Sequence, residues 1–168
     1  MSDQEQPQQR VINIDQAEFM DWGKGEDYQA KMARLSFLIG AQKLGFNMTR
    51  LEPGKSAFPY HLHHNNEELF IILEGTGTAR MPDGEHALRR GDLLLCPPGP
   101  DGAHKITNDG EEDLVYLAVS TSLSPEVVEY PDSNKCLAFA GTFPDNVAFR
   151  GVFKQDTMVD YWDGEATD

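Results

Sequence analysis

The stretch FPYHLHHNNEELFIILEG, residues 58–75, holds three of the chain's five histidines within four positions. Two glutamates follow, and then an apolar run that ends at a glycine. Residues two apart on a β-strand point to the same face, so His61 and His63 can direct their imidazoles at one point. His64 points the opposite way by the same rule. The stretch therefore predicts a pair of converging histidines at the start of a strand.

The two asparagines at 65–66 favour a turn or a bulge, and a bulge resets the alternation of a strand. After such a reset Glu68 shares the inward face with Phe70 and Ile72, whereas Glu67 lies on the other face. An inward carboxylate beside apolar side chains is costly unless it is paired or binds a metal. We therefore expect Glu68, rather than Glu67, to join the two histidines.

A fourth candidate is His104, which follows a Pro/Gly-rich turn in PPGPDGAHKITN, residues 97–108. Three imidazoles and one carboxylate suit a divalent transition metal: Fe, Mn, Ni, Co, Cu or Zn. An octahedral ion held in this way keeps coordination positions open, as catalytic sites do. The alternative is that these four residues are polar strand ends that bind no metal.

The hydrophobic pattern between residues 34 and 122 is that of an all-β fold. Apolar runs of about four to eight residues alternate with turn sequences such as MPDGE and NDGEED. This pattern predicts a barrel or a sandwich. The runs at 69–73 and 114–119 are apolar on both faces, which requires that both faces are covered. We expect the second face to lie under the N-terminal arm, the C-terminal segment or a second subunit.

Three regions follow from these patterns. Residues 1–32 are polar and are expected to form an N-terminal arm, of which the Gln-rich first ten residues are disordered. Residues 33–122 form the barrel core. Residues 123–168 form a C-terminal extension that packs on the barrel and ends in an acidic tail.

The bulk properties restrict the partners. A net charge of −14 argues against nucleic acid and against anionic membrane surfaces, since both require Lys and Arg. No stretch approaches the roughly 18 apolar residues of a membrane span, and the N-terminus lacks the apolar segment of a signal peptide. Cys96 and Cys136 lie far apart and in no metal-binding pattern, so we expect a reduced, cytoplasmic setting.

Two segments carry a resemblance to a known family. GKSAFPYHLHHNNEELFIILEG, residues 54–75, resembles the first motif of the cupin superfamily, and GDLLLCPPGPDGAHKITN, residues 91–108, resembles the second. The resemblance implies a double-stranded β-helix, or jelly-roll barrel, with a metal held by His61, His63, Glu68 and His104. One departure from the pattern is that four residues, instead of two, separate Gly99 from His104.

The likeness extends to VVEYPDSNK and VDYWDGE, which resemble segments of a group of small, single-domain bacterial cupins without an established function. It implies a metal-dependent enzyme of the isomerase or dioxygenase kind that acts on a small organic molecule. The alternative is a non-catalytic module that binds a sugar or an organic acid, with the metal as an anchor. Apolar barrel faces of this kind usually pair, which predicts a homodimer.

Several aromatic residues are candidates for the lining of a pocket over the metal, although such residues more often belong to a barrel core. They are Tyr60, Phe70, Tyr116 and Phe58. Arg50 and Arg80 are candidates for binding an anionic substrate. The sequence indicates no dedicated catalytic residue and no organic cofactor.

Overall fold

The computed structural model describes residues 10–142 and 146–165. The expected disorder of the first ten residues falls almost wholly on residues 1–9, which lie outside this part of the chain, as does the end of the acidic tail. None of the helices in the described part has the length and apolar character that crossing a membrane requires.

The described residues form mostly β-strands, with one α-helical turn, α1, at Leu35–Leu38. Single 3-10 turns occur at Ile14–Gln16, Pro100–Gly102, Pro131–Ser133 and Gln155–Thr157. The strands are β1 Met20–Lys24, β2 Tyr28–Ala33, β3 Leu44–Leu51, β4 Leu62–His63, β5 Glu68–Glu74, β6 Thr76–Met81, β7 Gly84–Arg89, β8 Leu93–Cys96, β9 Lys105–Thr107, β10 Leu114–Thr121, β11 Glu126–Tyr130, β12 Lys135–Thr142 and β13 Asn146–Lys154. The predicted all-β fold is confirmed.

The strands pair in antiparallel fashion in three sheets. The largest sheet has the order β1-β2-β3-β10-β5-β8, and a second has the order β13-β12-β11-β4. The third contains β7-β6-β9. The segment that follows residue 122 therefore supplies three of the four strands of the second sheet, and β4 of that sheet carries His63.

The alternation of apolar side chains along β5 and β10 positions the core. Phe70, Ile72 and Tyr116 are almost fully buried and belong to the main hydrophobic cluster. Burial of each such side chain contributes roughly 1.5–3 kcal/mol to folding. Because Glu68 lies two residues before Phe70, the strand directs its carboxylate towards the same interior.

Part of the outer face of the largest sheet is covered by the N-terminal segment. Ile12, Ile14 and Phe19 pack against a second cluster that includes Val115 of β10, with Leu117 beside it. The sequence predicted that the N-terminal arm, the C-terminal segment or a second subunit covers this face, and the N-terminal arm covers part of it.

The glycine that closes the first motif is required by the close approach of two chain segments. Gly75 joins β5 to β6 with φ of +74°, a left-handed conformation that other residues rarely adopt. A Cβ atom at this position would also collide with the carbonyl oxygen of Asp113. The turn that ends β5 therefore depends on glycine.

Candidate metal centre

His61 and His104 come from different motifs but are joined directly through the backbone. The amide of His61 donates to the carbonyl of His104 at 3.1 Å, and the amide of His104 donates to the carbonyl of His61 at 2.8 Å. The two ring centroids lie 4.5 Å apart. This bridge fixes the position of one motif relative to the other.

Backbone carbonyls also set the orientation of these two rings. Nδ1–H of His61 donates to the carbonyl of Pro59 at 2.8 Å, and Nδ1–H of His104 donates to the carbonyl of Gly102 at 2.9 Å. In a neutral ring this arrangement leaves the Nε2 lone pair free, which is the tautomer that a metal ligand needs.

His63 and Glu68 lie on opposite sides of a corner formed by residues 64–67. His63, on β4, pairs with Val128 of β11 in the second sheet, whereas Glu68, on β5, pairs with β8 and β10 in the largest sheet. The segment passes between two sheets and is not a bulge within one strand. Its effect is nevertheless the expected change of phase, because the Glu68 side chain points inward.

The four predicted ligands meet around one carboxylate oxygen. Glu68 Oε2 lies 3.3 Å from Nε2 of both His63 and His104, and 3.9 Å from Nε2 of His61. Ligand atoms of His61, Glu68 and His104 all lie within 4.8 Å of one another, a spacing that a single ion can span. His63 lies outside that mutual group and reaches it through Glu68.

The donor atoms at the centre of this group fit a metal ion. Glu68 Oε2 and His104 Nε2 are buried and have no hydrogen-bond partner. Buried polar atoms without partners are costly, and a cation shared between a carboxylate and imidazole nitrogens would satisfy both. The residues present can therefore hold a divalent transition metal.

The pKa values of the two neighbouring histidines shift in opposite directions. Burial, together with the charge of His104, lowers the pKa of His61 to about 4, so its ring is neutral at neutral pH. Burial also disfavours the charged form of His63, but the carboxylates of Glu126 and Glu68 outweigh it and raise the pKa of His63 to about 9.

The Glu68 carboxyl is ionised. Burial acts to raise its pKa, but the adjacent imidazoles of His104 and His63 outweigh burial and hold the pKa of Glu68 well below its ordinary value. The site thus presents a carboxylate towards which three imidazole nitrogens are directed.

Glu126 is a site residue that the sequence did not reveal. Its side chain is 1% exposed, and its Oε2 lies 3.5 Å from Nδ1 of His63. It also accepts hydrogen bonds from the backbone amides of His64, Asn65 and Asn66 and from the Asn66 side chain, so it holds the corner in place. The one available signal was the alternation in EVVEY, which places Glu126 and Tyr130 on a common face.

The four candidate ligands, His61, His63, Glu68 and His104, form a ligand group that borders an inner cavity of about 220 Å³. Three of the four pocket candidates, Phe58, Phe70 and Tyr116, are among the residues that line it. The remaining lining residues include Asn47, Lys105, Ile106, Ala118, Val128, Tyr130, Leu137 and Phe139. The cavity therefore has a largely apolar wall with the polar ligand group at one side, as small-molecule sites commonly do.

Tyr60, the fourth pocket candidate, does not line this cavity. It is buried against Leu62 and Ala103, and the guanidinium of Arg80 lies 4.0 Å from its ring centroid. Tyr60 precedes His61 by one residue, so on an extended segment the two side chains point in opposite directions.

The other acidic and basic candidates near the first motif lie outside the ligand group. His64 is exposed and its Nε2 lies 2.7 Å from a carboxylate oxygen of Glu129. Glu67 is exposed as well. The structure thus separates His64 from His63, and Glu67 from Glu68, by strand alternation.

Comparison with known proteins finds a matching domain family and solved structures of similar architecture. Residues 47–120 match the Cupin domain family. A candidate sugar phosphate isomerase from Acidithiobacillus ferrooxidans has a similar structure, with a TM-score of 0.75, 27% identity, and coverage of 89% of this chain and 94% of the other. A predicted oxalate decarboxylase from Thermotoga maritima aligns at a TM-score of 0.57 and 26% identity, over 67% of this chain and 99% of the other.

Matches to curated sequences are partial. An uncharacterised protein of Methanocaldococcus jannaschii, MJ1618, is 35% identical over 60 residues, which is 36% of this chain and 46% of that protein. A germin-like protein of Morus alba is 27% identical over 100 residues, or 54% of this chain and 46% of its own. The chain thus spans about half the length of the curated relatives it matches. Residues 47–120 thus match the Cupin domain family, and the chain shares its architecture with the structural neighbours over most of its length.

Proposed function

We propose that this cupin is a metal-dependent enzyme that acts on a small organic molecule, with chemistry of the isomerase or dioxygenase kind. The metal ligands are His61, His63, Glu68 and His104. The observation that carries the proposal is the convergence of three imidazole Nε2 atoms on one buried carboxylate oxygen that has no hydrogen-bond partner.

A divalent metal bound here would act as a Lewis acid towards a substrate oxygen or, if it is iron, would support oxygen chemistry. The chain's own residues would bind and orient the substrate in the inner cavity. Phe58, Phe70 and Val128 would exclude water from one side of it. The phenol of Tyr130, whose ring stacks on His61 with centroids 5.9 Å apart, would be a hydrogen-bond donor beside the ligands.

The structural neighbours support this class of chemistry. The candidate sugar phosphate isomerase from Acidithiobacillus ferrooxidans is similar over nearly its whole length, and the predicted oxalate decarboxylase from Thermotoga maritima is similar over two thirds of this chain. Both are described as enzymes that act on small, oxygen-rich molecules. Such molecules offer the hydroxyl, carbonyl or carboxylate oxygens that a Lewis-acidic ion binds.

One feature of the inner cavity favours a second candidate, a non-catalytic module that binds a sugar or organic acid. Apart from the four ligands, the ionisable residues among those that line the cavity are Lys105, Tyr116 and Tyr130. Burial raises the pKa of both phenols, so they stay protonated at neutral pH. Neither phenol is therefore a ready general base.

Metal analysis of the purified protein tests the proposal. We expect a stoichiometric transition metal in the wild-type protein after purification without added metal, and its loss in His61→Ala and His104→Ala. His86→Ala, which removes an exposed histidine paired with Asp83, is the matched control and should retain the metal. A wild-type protein that binds no transition metal under any loading condition would contradict the enzyme proposal. Metal binding without turnover of any sugar phosphate or organic acid would favour the binding module.

We also propose that the protein is a homodimer. Leu93 and Leu95 on β8, at the edge of the largest sheet, are 67% and 53% exposed. Exposed apolar edge strands are ready surfaces for pairing with another chain. Light scattering should give twice the chain mass, and a monomer would contradict this assignment.

A further inference from the structure

An outer cleft of about 560 Å³ adjoins the inner cavity. Phe58, Tyr130 and Leu137 line both spaces. Tyr130 connects the cleft directly to the ligand group, because its ring stacks on that of His61. A molecule bound at the ligand group could therefore extend past Tyr130 into the cleft.

Three cations line the outer cleft: Lys24, Lys135 and Arg150. Lys24 comes from β1, while Lys135 and Arg150 come from the hairpin of β12 and β13 on the other wall. The ammonium of Lys135 lies 4.6 Å from the ring centroid of Tyr130. One positive charge is thus a single aromatic ring away from the ligand His61.

Strand register explains why the cations on the hairpin share a face with apolar wall residues. Arg150 pairs with Phe139, and Val152 pairs with Leu137. Paired residues lie on the same face of a sheet, as do residues two apart along a strand. Lys135, two residues before Leu137, therefore lies on the face that also contributes to the inner cavity.

The three cleft cations differ in their ion pairing from Arg50 and Arg80, the two arginines that the sequence suggested as anion binders. Arg80 makes a two-pronged ion pair with Asp132 at 2.6 and 3.0 Å, and Arg50 lies 3.9 Å from Asp113. Each of these two guanidinium groups thus already has a carboxylate within 4.0 Å.

By contrast, Lys24, Lys135 and Arg150 have no carboxylate within 4.0 Å in residues 10–142 and 146–165. The carboxylate in the cleft lining, Asp21, lies 3.5 Å from Lys31. In a chain with a net charge of −14, a cleft with three cations that lack carboxylate partners is a local reversal of charge.

We propose that the outer cleft is the anion subsite of the substrate: Lys135 and Arg150, with Lys24, bind a phosphate or carboxylate group while the rest of the molecule reaches the ligand group past Tyr130. Only the statement that the rest of the molecule reaches the ligand group rests on the proposed function; anion binding in the cleft does not. Planar guanidinium and mobile ammonium groups together suit a small oxyanion. A phosphate monoester, which carries up to two negative charges, would make use of all three cations.

Binding of inorganic phosphate tests the subsite directly. Trp22 lines the cleft, so its fluorescence reports on occupancy, and Trp162→Phe removes the other tryptophan. The titration is performed on the full chain after treatment with a chelator, so that phosphate cannot bind a metal. We expect saturable binding that weakens with salt and falls about tenfold or more in Lys135→Gln and in Arg150→Gln.

The matched controls are Lys43→Gln and Arg90→Gln, which remove exposed cations that do not line the cleft and should leave phosphate affinity unchanged. A parallel titration with acetate distinguishes the two sources of the anion: the tighter ligand identifies a phosphate or a carboxylate substrate. No saturable response to either anion, or equal affinity in the cleft variants and the controls, would overturn the subsite.

The result separates this inference from the proposed function. If the protein binds no metal but phosphate binding depends on Lys135 and Arg150, the subsite stands and the enzyme proposal fails. If the protein binds metal but the cleft variants leave phosphate affinity unchanged, the enzyme proposal stands and the subsite fails.

Discussion

The histidines of the ligand group are held in two different ways. His61 and His104 are joined by a backbone bridge, and backbone carbonyls accept their Nδ1–H groups. His63 instead lies beside a carboxylate, that of Glu126, which comes from a strand about sixty residues further along the chain. The first pair is set by local backbone geometry, whereas the third ring depends on one distant side chain.

The way in which each ring is held determines the charges of His61 and His63 in the metal-free protein. The pKa of His61 falls to about 4, so the ring is ready to bind a metal, whereas the pKa of His63 rises to about 9, so its ring must first lose a proton. Glu126 also anchors the corner at residues 64–66. We therefore expect the two halves of the site to respond differently to substitution and to pH.

The largest effect is expected from the backbone-held pair. His104→Ala removes a ligand whose Nε2 is buried and directed at Glu68, so metal affinity should fall by more than about 100-fold. Isothermal titration with Zn²⁺ or Mn²⁺ measures the loss, and circular dichroism checks that the barrel is intact. A folded variant with wild-type affinity would remove His104 from the site.

A smaller loss is expected from the carboxylate-held ring. Glu126→Gln removes the negative charge beside His63 but keeps a side chain of similar size, so metal affinity should fall about 10- to 100-fold. Because the corner amides lose an ionised acceptor, the free energy of unfolding should also fall, by about 1–3 kcal/mol. Metal titration and urea unfolding measure the two effects.

Glu129→Gln is the control for Glu126→Gln, because Glu129 lies on the same strand but pairs with the exposed His64. It should leave metal affinity unchanged. An NMR titration of the His63 ring distinguishes positioning from general damage, since its pKa should fall in Glu126→Gln alone. Equal behaviour of the two variants would contradict the role of Glu126.

The pH dependence of metal binding should report on His63. Below its pKa of about 9 the metal-free ring carries a proton that the metal must displace, so affinity should rise with pH up to about 9, by about tenfold per pH unit. His61 is already neutral above its pKa of about 4 and contributes no slope there. Titration in buffers of different ionisation enthalpy should detect release of about one proton at neutral pH. Affinity that is independent of pH in this range would contradict the assignment.

The smallest effect is expected from the histidine next to His63. His64→Ala removes an exposed ion pair with Glu129, which contributes at most about 1 kcal/mol to stability. Metal affinity should stay within about twofold of the wild type, by the same titration. A large loss of metal would mean that the alternation of side chains after His61 differs from that described.

Strand alternation and motif spacing predicted the all-β fold and the directions of the Glu68 and His64 side chains, but not that of Tyr60, which was expected to line the pocket. The inward position of Glu68 followed from its parity with Phe70, and the outward position of His64 from its place beside His63. These features are local, so a rule about residues two apart was sufficient to predict them.

Features that depend on distant segments were not predicted. Glu126 acts on His63 because β11 pairs with β4, and no local pattern indicates which strands pair. The asparagines at 65–66 predicted a turn or a bulge, but the sequence does not show that the chain changes sheets at residues 64–67. Likewise, the pairing of Arg80 with Asp132 depends on a contact across 52 positions.

Anomalous diffraction from crystals of the metal-loaded protein tests the central claim most directly. We predict one peak per chain, about 2.0–2.2 Å from Nε2 of His61, His63 and His104 and from a carboxylate oxygen of Glu68. A peak at another position, or a protein that binds no metal and keeps these four side chains in place, would contradict the account.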